Sequence, residues 1–355
     1  TTEIYTLSLH DALPISHKTL TFEQLTASKH IKGPSLTLAI PGSGKTTLLL
    51  HRLIYLVEEH GIKPSQILTL TFSKASAEDM SSRFNRDFSD SGHRFTFMTI
   101  HKFAYGIYRT YLKQTNKTMT LLDDGSKKYQ ILNEIVKQLR GEALTEDDFE
   151  TISNDIGLIY NLKLTPETSS GHAFQFEDIF DIARAFHVYK KNHQLFDFDD
   201  MLISAIKILN NSPTLLESIR SKYRFIQVDE AQDTSKLQFE LIELLLGEEQ
   251  NLFLVADDDQ SIYGFRGASP TYLLMFGDRF PSAKLYYLAE NFRSDALIVN
   301  TAAALIETNK NRYEKAMRPF HPESRAPSIR TFDDLTGRNT FLMQKLTELT
   351  GTTAI

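Results

Sequence analysis

The run Ala39-Ile-Pro-Gly-Ser-Gly-Lys-Thr-Thr47 constrains this chain more than any other. An apolar, β-prone stretch over residues 35–40 leads into it, and a helical pattern over 45–59 leaves it. Strand, glycine-bearing loop and helix in that order aim a set of backbone N–H groups at one point beyond a helix N-terminus, where phosphate binds. Pro41, Gly42, Ser43 and Gly44 would form the loop. Lys45 would reach the β- and γ-phosphates of a nucleoside triphosphate, and the Thr46 hydroxyl, with Thr47 beside it, would meet Mg²⁺. Ala39 stands where the strict G-x-x-x-x-G-K-[ST] pattern begins with Gly, and its methyl group is tolerated if the residue closes the strand in β conformation.

Two further runs carry chemistry. Phe225-Ile-Gln-Val-Asp-Glu230 is an apolar strand ending in two carboxylates. Asp229 would hold Mg²⁺ and Glu230 would orient or deprotonate an attacking water; taken alone, the pair could also be a solvated acidic turn. Ala256-Asp-Asp-Asp-Gln-Ser-Ile-Tyr-Gly-Phe-Arg-Gly-Ala268 follows another strand and sets a polar sensor beside aromatic side chains. Together the three runs are the parts of a motor that works on nucleic acid.

Composition sets outer bounds. With 355 residues there is room for two or three domains with real cores. The absence of Cys excludes disulfides and thiolate metal sites and fits a reducing cytoplasm. No apolar run approaches the roughly 20 residues of a membrane span. A formal net charge of −6 argues against a sequence-independent basic coat for nucleic acid, so a strand must be held locally, in a groove with stacking platforms.

The pattern along the chain is α/β. Strands are expected over 35–40, 67–72, 95–99, 225–229, 251–256 and 284–288, and helices over 45–59, 75–88 and 235–246. Between residues 104 and 196 strand signals vanish, which predicts a helical insertion. After Asn291 the spacing predicts a long helix near 295–308, a Pro-rich stretch at 319–327 and a strand at 328–332. Back-translated, Thr1 to Ile15 matches the end of a short-read sequencing adapter. Residues 1–16 are therefore expected to be an assembly artefact rather than a secretory signal: there is no basic n-region, and His10 and Asp11 break the apolar run.

At Asp229-Glu-Ala-Gln-Asp-Thr-Ser235 the chain resembles the UvrD/PcrA/Rep family of superfamily 1A DNA helicases, and the other motifs fall in that family's order. Leu20-Thr-Phe-Glu-Gln-Leu-Thr-Ala27 is similar to the motif whose amide, here Gln24, grips adenine. Leu70-Thr-Phe-Ser-Lys-Ala-Ser-Ala-Glu-Asp-Met80 resembles the first strand-contacting motif through Thr71 and Phe72, with Lys74 and Ala75 where Asn and Lys are common. Thr99-Ile-His-Lys-Phe103 resembles the next, with Thr99 and His101 facing the strand; a structural histidine capping a helix is the other role open to His101. Phe196-Asp-Phe-Asp-Asp-Met-Leu202 matches the run that closes the helical insertion. Gln260 occupies the γ-phosphate sensor position, Phe265 a base-stacking platform, and Tyr263 and Arg266 lie beside it. In Leu288-Ala-Glu-Asn-Phe-Arg-Ser294, Phe292 would stack on adenine, unless it is a core aromatic, and Arg293 would approach the γ-phosphate.

The resemblance implies a RecA-like P-loop domain from residues 17–103 and 196–284, a helical insertion at 104–195, and an incomplete second RecA-like domain from 285 to 355. It also implies an ATP- and Mg²⁺-dependent 3′→5′ translocase on single-stranded DNA and single/double-strand junctions. The later family runs T-x-H-x-x-K-G-L-E and V-A-x-T-R do not occur, so the chain is expected to be an N-terminal fragment that hydrolyses ATP poorly. Two other functions fit the same motifs: the helicase portion of an AddA/RecB-type helicase-nuclease, and a non-motor ATP- and single-strand-binding module.

Overall fold

Apolar runs of three to five residues pair side by side as a six-stranded parallel sheet in the order β3-β2-β6-β7-β1-β8. The computed structural model describes residues 19–268, 270–322 and 327–350, without the side chains of Arg266, Leu349 and Thr350; the 1–16 tail lies outside the described residues. Along the chain, α1 (Phe22–Ser28) precedes β1 (Ser35–Ala39), α2 (Lys45–Glu58), β2 (Ile67–Thr71), α3 (Lys74–Asp87), β3 (Phe97–Thr99) and α4 (Ile100–Gln114). A short ladder of β4 (Thr120–Leu121) with β5 (Leu195–Phe196) closes an excursion through α5 (Gly125–Arg140), α6 (Glu146–Leu162) and α7 (Ile179–Asn192). Then come α8 (Phe198–Asn211), α9 (Pro213–Lys222), β6 (Phe225–Val228), α10 (Lys236–Leu244) and β7 (Leu252–Ala256). The chain goes on through α11 (Pro270–Leu274), α12 (Phe276–Arg279), β8 (Lys284–Leu288), β9 (Glu290–Asp295), α13 (Ala296–Ile306), β10 (Arg318–His321) and α14 (Leu335–Thr350).

Strands β1, β2, β6 and β7 are buried at every residue. Crossover helices cover both faces of such a sheet, so the strands read as near-continuous apolar runs. Alternate residues then serve opposite faces. Leu36, Leu38, Leu70, Val228 and Leu254 pack with Ile100 and Phe103 of α4, Leu202 of α8 and Phe239 of α10. Ala39, Phe225, Phe253 and Val255 pack with Leu49 and Leu53 of α2 and with Met80 and Phe84 of α3. The β1-to-β2 connection carries α2 on this second face, whereas the β7-to-β8 connection places Tyr272, Leu273 and Phe276 in the first core. The two connections leave the sheet in opposite senses beside β1 and β7. A crevice opens at the carboxyl edge where they part, the place ligands occupy in open α/β sheets.

The excursion has its own core, with Ile131, Leu132, Ile152, Ile156, Ile182 and Phe186 fully or nearly buried. Lys190, 1% exposed, ties it to the start of α8: its Nζ lies 2.5 Å from Asp197 and 2.6 Å from Asp200. The strand expected at 328–332 does not form. Those residues are exposed and, among the described residues, no strand pairs with them; the β-pairing falls on Arg318–His321, which lies parallel to β9.

Asp199 sits among like charges at this junction. Burial, and then the Asp197 carboxylate, push its carboxyl up to about 7, against the Asn161 amide donor and the more distant Lys190 and Lys128. A carboxyl whose folded value lies above its unfolded value destabilises the fold above that folded value, and the penalty disappears as pH falls toward the unfolded value. Asp199→Asn is therefore expected to be more stable than the wild type at pH 8, by on the order of 1 kcal/mol given partial solvent contact. The gap should close as pH falls from 7 to about 4, and denaturant unfolding at both ends of that range checks it.

Candidate functional site

β1 ends at Ala39, which is in the strand, so the methyl group where Gly is usual meets no conflict. The chain then turns under its own hydrogen bonds: the Ser43 amide and hydroxyl both donate to the Ile40 carbonyl, at 3.3 and 2.7 Å. Gly42 and Gly44 take left-handed backbone, φ +71° and +84°. Both positions are also crowded. A Cβ on Gly42 would lie 2.8 Å from the Arg293 Cβ, and one on Gly44 would lie 2.6 Å from the Gln24 amide nitrogen. Gly44 caps α2 without a side chain, so no side chain occupies the first-turn N–H groups.

These groups face a cavity of about 640 Å³ lined by Gly42, Ser43, Gly44, Lys45, Thr46 and Thr47, by Asp229 and Glu230, and by Gln260, Phe292 and Arg293. Its remaining wall is α3, through Ala75, Ser76, Asp79, Met80 and Arg83. Two expected nucleotide residues sit behind the loop instead. Gln24 spends its amide internally, donating to the Ser43 carbonyl at 2.8 Å and accepting from the Thr21 N–H at 3.0 Å. The Pro41 carbonyl accepts from the Asn291 amide at 2.8 Å.

The acidic pair leaves the end of β6. The Asp229 N–H donates to the Leu70 carbonyl of β2 at 2.9 Å, and Glu230 adopts left-handed backbone, φ +51°, which is uncommon for a residue with a side chain. Lys45 Nζ stands 3.5 Å from the Glu230 carboxylate. Burial, and then the charge of Glu230, push the Asp229 carboxyl above its usual range, and Lys45 only partly opposes this. The same causes carry Asp233 up to about 6. Crowded, buried carboxylate oxygen beside the Thr46 hydroxyl is the donor set a hard divalent cation takes, so Mg²⁺ fits these residues.

Gln232, 2% exposed, links the acidic pair to the turn after β7: its side-chain Nε2 donates to Glu230 at 2.8 Å, and its Oε1 accepts from the Asp257 N–H at 3.0 Å. Gln260 in turn donates to the Asp257 carboxylate at 2.8 Å. Asp257, Asp258 and Asp259 converge closely enough to suggest a cation site, but side chains meet their charge. Lys315 lies 2.7 Å from Asp257 and 3.0 Å from Asp259 and also contacts Asp258, while Arg312 chelates Asp259 at 2.7 Å.

Among the residues expected to contact a strand, Phe72, Tyr263 and Phe265 form a row, with ring centroids 5.1 and 5.9 Å apart, and Phe265 is 58% exposed. Gly267 is pressed against Asn161 of the helical excursion, which braces the end of that loop. The other expected strand contacts are placed differently. Thr71 is fully buried, its hydroxyl without a hydrogen-bond partner, so it offers no surface to a strand. Thr99 caps α4 by accepting from the Lys102 N–H at 3.1 Å, so the capping role open to His101 belongs to Thr99. Burial lowers the His101 imidazole, and its ring meets Phe198 edge-on at 6.1 Å. The Arg266 side chain lies outside the described residues.

The family model for the UvrD/REP helicase N-terminal domain matches residues 20–281. The chain belongs to the UvrD/REP helicase family. Among its relatives, the ATP-dependent DNA helicase PcrA of Staphylococcus epidermidis is 31% identical over 329 residues, covering 91% of this chain and 44% of that protein. The Staphylococcus aureus protein of the same name is 32% identical over 303 residues, or 83% and 41% of the two chains. The chain thus spans less than half the length of these curated relatives. Its α/β architecture, with a parallel central sheet and the loop at the end of β1, is the RecA-like arrangement of this helicase family.

Within the family motif at residues 288–294, Asn291 has a role the sequence pattern did not assign. It is 6% exposed; its amide holds the Pro41 carbonyl, and its oxygen accepts from the Arg293 and Ser294 N–H groups at 2.8 Å each. The Phe292 N–H adds a bond to the Gly42 carbonyl at 3.1 Å. One side chain therefore fastens the phosphate loop to the strand bearing Phe292 and Arg293. Asn291→Ala orphans a carbonyl and two amides and should cost about 1–3 kcal/mol. Hydrogen exchange at the amides of residues 42–44 should rise more than in the rest of the sheet, which separates local loosening from global destabilisation.

Proposed function

We propose that this chain is the ATP-binding motor core of a 3′→5′ single-stranded-DNA translocase that unwinds duplex at single/double-strand junctions in the cytoplasm. One observation carries the proposal: the turn that lends Gln260 to the nucleotide cavity continues, within five residues, into the exposed aromatic row. A site that only bound nucleotide has no use for such a row. The names of the staphylococcal relatives, ATP-dependent DNA helicases, support the same function. No helix among the described residues is long and apolar enough to cross a membrane.

In this mechanism the loop amides of Gly42 to Thr46 cradle the phosphates of ATP, and Lys45 holds the β- and γ-phosphates. Thr46 and Asp229 would hold Mg²⁺, which neutralises charge on the phosphate oxygens when bound. Glu230, fixed by Gln232, orients the attacking water and takes its proton. Gln260 and Arg293, which both line the cavity, read the γ-phosphate, and its loss relaxes the turn carrying Tyr263 and Phe265, so that bases are released and regripped. We assign residues 17–103 and 196–284 to the first motor domain, 104–195 to its helical insertion and the stretch from 285 onward to the start of a second. The separate core around Ile131, Ile152 and Phe186 supports an insertion, while α4, whose Ala104, Ile107 and Tyr108 pack with the sheet, runs across its proposed start.

Lys45→Ala should abolish binding of a fluorescent ATP analogue. Glu230→Gln should bind it normally yet hydrolyse ATP at least about 10²-fold more slowly; normal turnover in that variant would remove Glu230 from its role. Phe265→Ala should weaken single-stranded DNA by about 1–3 kcal/mol without base preference, and an unchanged titration against oligothymidine would sink the stacking role.

A further inference from the structure

The stretch from Arg312 to His321 touches both walls of the nucleotide cavity. At its start, the Lys315 side chain, 2% exposed, binds Asp257 Oδ1 at 2.7 Å; the Asp257 side chain is fully buried. Asp257 Oδ2 is thereby left to accept from the Gln260 amide at 2.8 Å. The backbone N–H of the same Asp257 donates to Gln232, whose amide holds Glu230. Arg312 and the Tyr313 N–H fix Asp259 and Asp258 on either side of Lys315. Three residues further on, the Arg318 N–H donates to the Ala289 carbonyl at 2.7 Å, and β10 pairs with the strand that carries Phe292 and Arg293. His321 closes that pairing on the Phe292 carbonyl at 2.9 Å. Three residues of backbone span at most about 10 Å, so a shift of β9 and β10 is passed to Asp257 with little slack.

We propose that Lys315 is a positioning residue for ATP hydrolysis: it sets the Asp257 carboxylate, which sets the Gln260 amide, and it ties Gln260 to the strand bearing Arg293. The proposal rests on the ATPase function above. A buried lysine held by three carboxylates could be a structural ion pair only. What distinguishes it is the second oxygen of Asp257, which reaches a residue lining the cavity rather than solvent or backbone.

The test uses the full 355-residue chain. Lys315→Met/Asp258→Asn removes the ammonium and one carboxylate together, so net local charge is kept and Asp257 and Gln260 remain; Lys315→Arg keeps the cation. Should the double variant not fold, Lys315→Gln, neutral but still a donor, is measured in its place. Without nucleotide, the Gln260 side-chain amide resonances, identified by their absence in Gln260→Ala, should shift and exchange protons faster in the double variant and stay near wild type in Lys315→Arg. An unmoved Gln260 amide in the double variant overturns the proposal. With Mg–ATP, single-turnover hydrolysis should fall about tenfold while affinity for a fluorescent ATP analogue stays within about threefold. In a Gln260→Ala background the double variant should cause no further loss. Losses that multiply instead mark a merely structural role and overturn the proposal. A wild-type chain that fails to bind the analogue defeats the ATPase function, and the amide measurement then decides by itself whether Lys315 sets Gln260.

Discussion

Backbone hydrogen bonding between β1 and its two parallel neighbours sets the height at which the parts of the proposed nucleotide cavity leave the sheet. Leu38 is level with Ala256 of β7 and Ala39 with Leu288 of β8. The loop after β1, the acidic turn after β7 and the segment before β9 therefore emerge at one edge. β6 is in register with β7 through Val228 and Leu254, which brings Asp229 and Glu230 to the same level. The register holds because both faces are buried. A slip of one residue would exchange the side chains serving the α2 and α3 core with those serving the α4, α8 and α10 core.

Charge is distributed along that edge with a clear division. The three carboxylates after β7, Asp257, Asp258 and Asp259, meet two cations, Lys315 and Arg312. Those after β6 have Lys45, 3.5 Å from Glu230, with Arg83 acting from further off, and burial followed by the Glu230 charge displaces the Asp229 carboxyl upward. A buried carboxylate without a full partner is costly, and a divalent cation is an effective relief. Asp229 is therefore the carboxylate with most to gain from Mg²⁺, while the denser cluster beside it is spent on holding Gln260 and the segment after α13 in place.

Local pattern was enough to read the loop, the strands and the acidic pair in the sequence. Glycines that need left-handed backbone, apolar runs that need burial and two carboxylates at a strand end declare themselves within a few residues. What escaped the sequence depends on pairing across long separations. Asn291 meets Pro41 250 residues away, Lys315 meets Asp257 58 away, and Gln227 meets the fully buried Arg52 175 away. A helical arginine reads as solvated until the topology puts it over the Phe253 ring, 4.4 Å from its centroid. Thr71 looked like a strand contact from its motif, but it is the last residue of a strand covered on both faces, so its side chain is inside. Among the described residues the 328–332 stretch has β-prone residues and no strand to pair with, whereas Arg318–His321, with a proline in it, has β9 beside it. Availability of a partner outweighed propensity there.

The aromatic row and the cavity share a short, braced connection. Gln260 and Tyr263 are three residues apart, and the Gln260 amide is held by Asp257 while Ser261 donates to the Gln232 carbonyl at 3.1 Å. At the far end, Ser235 and Ala268 form a bridge, and Gly267 takes left-handed backbone directly against Asn161, which Asp199 holds at 2.7 Å. The segment is thus pinned at both ends and exposed in the middle, where Ile262 and Phe265 face solvent. A segment of this kind cannot absorb a displacement at Gln260 by fraying. With the end at Gly267 held against the helical excursion, the proposed coupling would pass from Gln260 to the residues between, which include Tyr263 and Phe265. Under the proposed function the excursion is more than an appendage to the sheet, because Asn161 holds the Gly267 end of the segment that carries Tyr263 and Phe265.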